Sequence, residues 1–147
     1  MRNTHKGKFQ PRNPEKYQGD PTNIVFRSSW EARCMKFFDE NTNIVAWASE
    51  EMSIPYRDPM TGKQRRYFPD FLIKCKQRDG GMKTIMIEVK PHAQTLPPVQ
   101  PKRKSKHFIN EVHTYGVNQN KWKAAESFCA AKGWDFQVWT EKNMKFT

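Results

Sequence analysis

The chain is short of several things. Its 147 residues include three cysteines, Cys34, Cys75 and Cys129, with no two close enough to form a C-x-x-C pair. That spacing excludes a zinc ribbon or a disulfide framework and leaves core thiols. No run approaches the ~20 apolar residues of a membrane helix. Residues 1–10 hold no apolar stretch, so a signal peptide is not expected. His5, His92, His107 and His113 show no H-x-x-H or H-E-x-x-H spacing. There is no glycine-rich phosphate loop ahead of a helix and no G-x-S-x-G elbow, which removes nucleotide use and that type of serine hydrolase. Acidic residues are outnumbered, 15 Asp and Glu against 26 Lys and Arg, for a net charge of +11. An excess of that size favours a polyanionic partner.

What is present points to one folded domain. Apolar residues make up only 36% of the chain, but aromatic rings make up 13%, more than a disordered basic tail would carry. Residues 1–23 contain Arg2, Lys6, Lys8, Arg12 and Lys16 against Glu15 and Asp20, with three prolines and no periodicity. They read as an extended basic arm, leaving 24–147 as the domain. Ser28 or Ser29 can cap a helix in which Trp30, Cys34, Met35, Phe37 and Phe38 form one stripe and Asn41-Thr42-Asn43 ends the run. Strands are expected at 44–47, 52–56, 66–76 and 83–90, with Asp79-Gly80-Gly81 as a hairpin turn. Residues 91–106 carry Pro91, Pro97, Pro98 and Pro101, then Lys102, Arg103, Lys104 and Lys106, and no acid. They read as a mobile basic loop. A second helix is expected from about 120 to 132 with Gly133 past its end, then a strand at 134–140. The order of elements predicts an α/β fold: a helix, an antiparallel meander within a mixed sheet, a second helix and a further strand.

Three carboxylates sit among apolar residues. Asp70 interrupts Tyr67-Phe68-Pro69-Asp70-Phe71-Leu72-Ile73, where both faces of a strand would be apolar. Glu88 ends Ile85-Met86-Ile87, and Lys90, two residues on, leaves the same face. Glu31 falls by helical angle inside the apolar stripe. A buried carboxylate must neutralise, pair or bind a cation. Each also has a plain explanation: Asp70 as a structural acceptor, Glu88 as a solvated strand end, Glu31 as a first-turn acid favoured by the helix dipole. Hard oxygen ligands of this kind suit Mg²⁺ or Mn²⁺, and the Val89 carbonyl near a strand end is a further candidate oxygen. A lysine beside such a site fits metal-assisted hydrolysis of a phosphodiester.

Pro69-Asp70 followed across a hairpin by Glu88-Val89-Lys90 resembles the core of the PD-(D/E)xK nuclease superfamily. Further segments extend the likeness along the chain: Gly7-Lys8-Phe9, Asn13-Pro14-Glu15-Lys16-Tyr17, Phe26-Arg27-Ser28-Ser29-Trp30-Glu31, Ile54-Pro55-Tyr56 and Arg66-Tyr67-Phe68-Pro69-Asp70-Phe71. These resemble the head-completion nucleases of large tailed bacteriophages, and the layout is also similar to TnsA-type transposition endonucleases. The resemblance implies a restriction-endonuclease-like fold, Glu31, Asp70 and Glu88 as metal ligands, and Lys90 as the catalytic lysine. It also implies an Mg²⁺-dependent (or Mn²⁺-dependent) endonuclease acting on phage DNA ends after packaging. Head, portal or neck proteins are then the expected further partners, and the infected host's cytoplasm or the virion the expected location.

Arg27 and Ser29, beside Glu31, are candidate phosphate contacts, with capping and surface charge as the alternative. Lys102, Arg103, Lys104 and Lys106 are candidate backbone contacts. Lys121, at the expected start of the second helix, could meet an anion there or be an ordinary exposed lysine. Two other readings use the same residues: a basic DNA-binding or neck-assembly protein without catalysis, and a restriction-like or junction-resolving nuclease of the same fold.

Overall fold

The computed structural model describes residues 6–144; residues 1–5, with Arg2 of the expected arm, and residues 145–147 lie outside it. Two short strands, β1 (Gly7–Phe9) and β2 (Ile24–Phe26), pair antiparallel ahead of helix α1 (Ser29–Glu40). Ser28 is the N-cap: its hydroxyl accepts the Glu31 N–H at 3.1 Å. Cys34, Met35 and Phe38 of the expected stripe are buried.

The central sheet has four strands in the order β3 (Ile44–Ser49), β6 (Phe71–Lys76), β7 (Met82–Val89), β8 (Asp135–Trp139). The first three run antiparallel, and β8 is parallel to β7. A parallel neighbour needs a crossover, which helix α2 (Lys106–Lys132) supplies. The fold is therefore α/β with a mixed sheet, as the order of elements predicted. Side chains alternate across β7. Ile85 and Ile87 join Phe38, Trp47 and Phe71 on the α1 side, while Met86 joins Trp122, Ala125 and Cys129 on the α2 side. A separate ribbon, β4 (Ile54–Arg57) paired with β5 (Gln64–Tyr67), lies against α2.

Several expectations are corrected. The strand expected at 66–76 is two strands in two sheets, with Phe68, Pro69 and Asp70 between them. Proline has no N–H for the ladder, so the pairing stops there. Phe68 is consequently 47% exposed rather than on an apolar face.

The second helix begins at Lys106, not near residue 120, so Lys106 is its first residue rather than part of the loop. Its first half buries little: Ile109 and Val112 are 54% and 45% exposed. With Gly116 and several β-branched residues there, neither stripe nor propensity marks the helix. The readable signal was Ser105, whose hydroxyl caps the Phe108 N–H at 3.1 Å. Residues 92–95 form a short 3-10 turn inside the expected loop.

The expected basic arm is folded onto the domain from residue 6 onward. Phe9 and Tyr17 pack edge-on against Trp47, at 5.9 and 4.7 Å between ring centroids. Lys16 Nζ donates to the carbonyls of Phe38, Asp39 and Asn41 at 2.6–2.9 Å, closing the negative end of α1. Asp39, only 1% exposed, accepts the N–H groups of Arg12 and Asn13 at 2.8 and 3.0 Å. The fully buried acid of α1 is thus Asp39.

Candidate active site

The β6–β7 hairpin turns at residues 77–81, where Gln77 N–H meets the Gly81 carbonyl at 2.8 Å and Gly80 takes a positive φ of 87°. Its register pairs Phe71 with Ile87. Carried one step further, that register sets Asp70 opposite Glu88, at the ends of the two strands. Eighteen residues of sequence separation are closed by the ladder alone.

Asp70 Oδ2 accepts the Val89 N–H at 2.8 Å, and its carbonyl accepts the Glu50 N–H at 3.2 Å. Glu88 is 6% exposed. Its Oε1 takes the Tyr67 hydroxyl at 2.7 Å, and its Oε2 lies 3.6 Å from Lys90 Nζ. Lys90 and Glu88 share one side of the strand, as period two requires, and Val89 packs on the other. Burial first, then the neighbouring Glu88 charge, pushes the Asp70 carboxyl well above its usual range; the Val89 N–H and Lys90 oppose this. Burial and Glu88 likewise raise Tyr67, so its hydroxyl keeps the proton it donates.

Glu31 is close enough to raise Asp70 further, but its Oε1 accepts the Arg27 N–H at 3.0 Å. Together with the Ser28 cap this resembles a capping box, with the acid turned back on its own helix terminus. Among the described residues, no three His, Cys, Asp or Glu side chains are gathered closely enough to hold an ion. The structure therefore brings Asp70, Glu88 and Lys90 together and leaves Glu31 at their border. The donor chemistry still fits a hard divalent cation: two carboxylates held side by side with more negative charge than Lys90 relieves. The Cys34 thiol is raised to about 12 by burial first and then by Asp70 and Glu31, which makes it a poor competing ligand.

Arg27 pairs with Glu50, whose N–H holds the Asp70 carbonyl, so it lies at the rim with its charge already matched. Ser29 is the first helical residue, and the cap is its neighbour. Lys102, Arg103, Lys104 and Lys106 are exposed, just ahead of and at the start of α2.

Lys121 is not at a helix start; it lies in the middle of α2. Its Nζ sits 5.7 Å from the ring centroids of both Tyr56 and Tyr67. Burial and then Lys90 lower its pKa, while Glu88 and Asp70 raise it, which marks Lys121 as a second cation of the site. In the sequence Tyr67 is legible only as an apolar neighbour of Asp70. Its polar role depends on the chain break at Pro69, which turns β5 toward Glu88.

Two comparisons with known proteins bear on the chain's family. The model of the family described as TnsA-like endonuclease N terminal matches residues 41–141, a span that includes Asp70, Glu88, Lys90 and Lys121. The head completion nuclease of Enterobacteria phage T4 is 41% identical over 145 residues, covering 96% of this chain and 94% of that protein. A match over most of the domain, joined to a full-length relative, carries the identification: the chain belongs to the TnsA-like endonuclease family.

Proposed function

We propose that this protein is a divalent-metal-dependent DNA endonuclease that hydrolyses phosphodiester bonds at or near the ends of packaged phage DNA during head completion. The observation that carries the proposal is the Asp70–Glu88 pair, Glu88 buried and Asp70 half-buried, with Lys90 against it, on a chain of net charge +11. The name of the phage T4 relative supplies the biological step.

Asp70 and Glu88 would hold Mg²⁺ or Mn²⁺, with the Val89 carbonyl as a further oxygen. Glu31 would join them by giving up the Arg27 N–H. An ion held there would supply Lewis-acid chemistry for phosphodiester hydrolysis. Lys90, kept in place by Glu88, donates to a phosphate oxygen and opposes the negative charge that builds on it. Lys121 adds a second positive charge from a partly desolvated position, where it acts more strongly than in water.

Lys102, Arg103, Lys104 and Lys106 hold the backbone further along. Lys106 and Lys121 are fifteen residues apart on α2, about 22 Å, or roughly six base pairs. The positive end of the helix adds to that basic cluster. Arg27 and Ser29 are rim contacts in the same scheme. On this reading the protein acts in the cytoplasm of the infected host, next to head, portal or neck proteins, or stays in the virion, where immunodetection in purified particles would find it.

The test is cleavage of linear, nicked, branched and single-stranded DNA with Mg²⁺ and with EDTA. The parent should cut only with Mg²⁺. Asp70→Asn and Glu88→Gln should still bind DNA in EDTA while cutting more than about a hundredfold slower, since even outer-sphere partners of a metal are worth 10–100-fold. Variants that cut at the parental rate would sink the site. DNA binding without scission in any metal would make the protein a DNA-binding or assembly factor instead.

A further inference from the structure

The β4–β5 ribbon has two unlike faces. Ile54, Tyr56 and Tyr67 are buried toward α2, and Arg65 on that side is held by Asp58 at 3.1 Å. The opposite face presents Pro55, Arg57, Gln64 and Arg66, all exposed, with Pro55 across from Arg66 and Arg57 across from Gln64. Arg57 and Arg66 are therefore diagonal neighbours, about 7–8 Å apart and somewhat closer at Cβ. Asp58 is the only acid between residues 54 and 68, and it is buried and engaged on the inner side. Arg57 Nη1 donates to the Gly62 carbonyl at 2.6 Å, and among the described residues neither arginine has a carboxylate partner, which an anionic ligand would supply.

The ribbon is rooted in the candidate site. Arg66 directly precedes Tyr67, whose hydroxyl is on Glu88. Asp58 fixes the other end by accepting the Met60 N–H at 2.9 Å, by Arg65, and by a 3.4 Å contact with His113 of α2. Asn120 of α2 donates to the Arg57 carbonyl at 2.9 Å. The outer face is thus a rigid extension of the site rather than a loose loop. A two-stranded ribbon matches the width of the DNA major groove, about 12 Å, and exposed arginines on it can reach the phosphates that border the groove.

We infer that the outer face of the β4–β5 ribbon grips duplex DNA in the groove on one side of the bond to be cut, with Arg57 and Arg66 as its charged contacts. This rests on the endonuclease reading above. It adds a clamp on the β5 side of the carboxylates, separate from the basic stretch at the start of α2.

The experiment measures duplex affinity in EDTA across a salt series, and Mg²⁺-dependent cleavage at limiting and saturating DNA. It compares the parent, Arg57→Ala/Arg66→Ala, and the charge-matched control Lys74→Ala/Lys76→Ala, whose lysines are exposed along β6 leading away from Asp70. The ribbon variant should bind tenfold or more weakly at ~0.1 M salt, and its slope of log affinity against log salt should fall by about two, near 0.9 per phosphate contact. Its cleavage rate at saturating DNA should stay parental, and the control should match the parent. A ribbon variant with the control's affinity and slope overturns the inference while leaving the endonuclease reading intact. So does one that binds normally but cuts slowly at saturation. A parent that neither binds nor cuts duplex DNA overturns both.

Discussion

Tyr67 shows how one hydroxyl can decide the shape of a site. It is buried, stays protonated, and spends that proton on Glu88 Oε1, which leaves Oε2 to face Lys90. Tyr67→Phe keeps the ring and its packing and removes only this bond. The expected result is a melting temperature near the parent's with Mn²⁺ affinity lowered by about tenfold or more, read by calorimetric titration. Unchanged metal affinity would reduce Tyr67 to a packing residue. Legibility at this scale depended on partners. Asp70 stood out because it breaks an apolar run, and Glu88 because it ends one. Asp39 did not, because what holds it is the backbone of Arg12 and Asn13, more than twenty residues away.

At the scale of elements, the ribbon is fastened to α2 through Asp58. The Met60 N–H is the largest cause holding the Asp58 carboxyl below its usual range; burial opposes it, and His113 and Arg65 reinforce it. A lowered folded-state pKa contributes stability that is fully present above the unfolded value, about 3.9, and is lost as pH falls through the folded one. Asp58→Asn should therefore be less stable than the parent at neutral pH, and the gap should narrow below about pH 4. Urea titrations across that range check it, and a gap independent of pH would show that the carboxylate charge is not what matters. The break that creates the ribbon was written in Pro69, but a proline inside an apolar run also fits an edge strand. Only the pairing of β4 with β5 chose between them.

The whole molecule places its positive charge at the edges and its least comfortable negative charge at the centre. Two carboxylates forced together destabilise the folded state while no cation is present. Asp70→Asn retains an acceptor for the Val89 N–H and removes one of the like charges. In metal-free buffer it should gain about 1 kcal/mol in stability, with cleavage lost. A melt that falls instead would mean Asp70 serves the fold rather than the site. The charge map itself changed with folding. Lys16, part of the expected arm, is held at the end of α1; Lys121, expected at a helix start, stands over Tyr67; and Arg57 and Arg66, unremarkable in the sequence, stand together on the outer face of the ribbon.

Local sequence suffices for the α/β order, the hairpin that brings Pro69-Asp70 to Glu88-Val89-Lys90, and the cap of α1. Each of these depends on residues close in the chain: periodicity, turn chemistry, and two strands joined by one turn. Only the packed molecule shows where the N-terminal segment docks and that Lys121 faces the site. Those outcomes depend on distant surfaces meeting. Burial against them, not local preference, sets which backbone groups find partners and which charges lose their water.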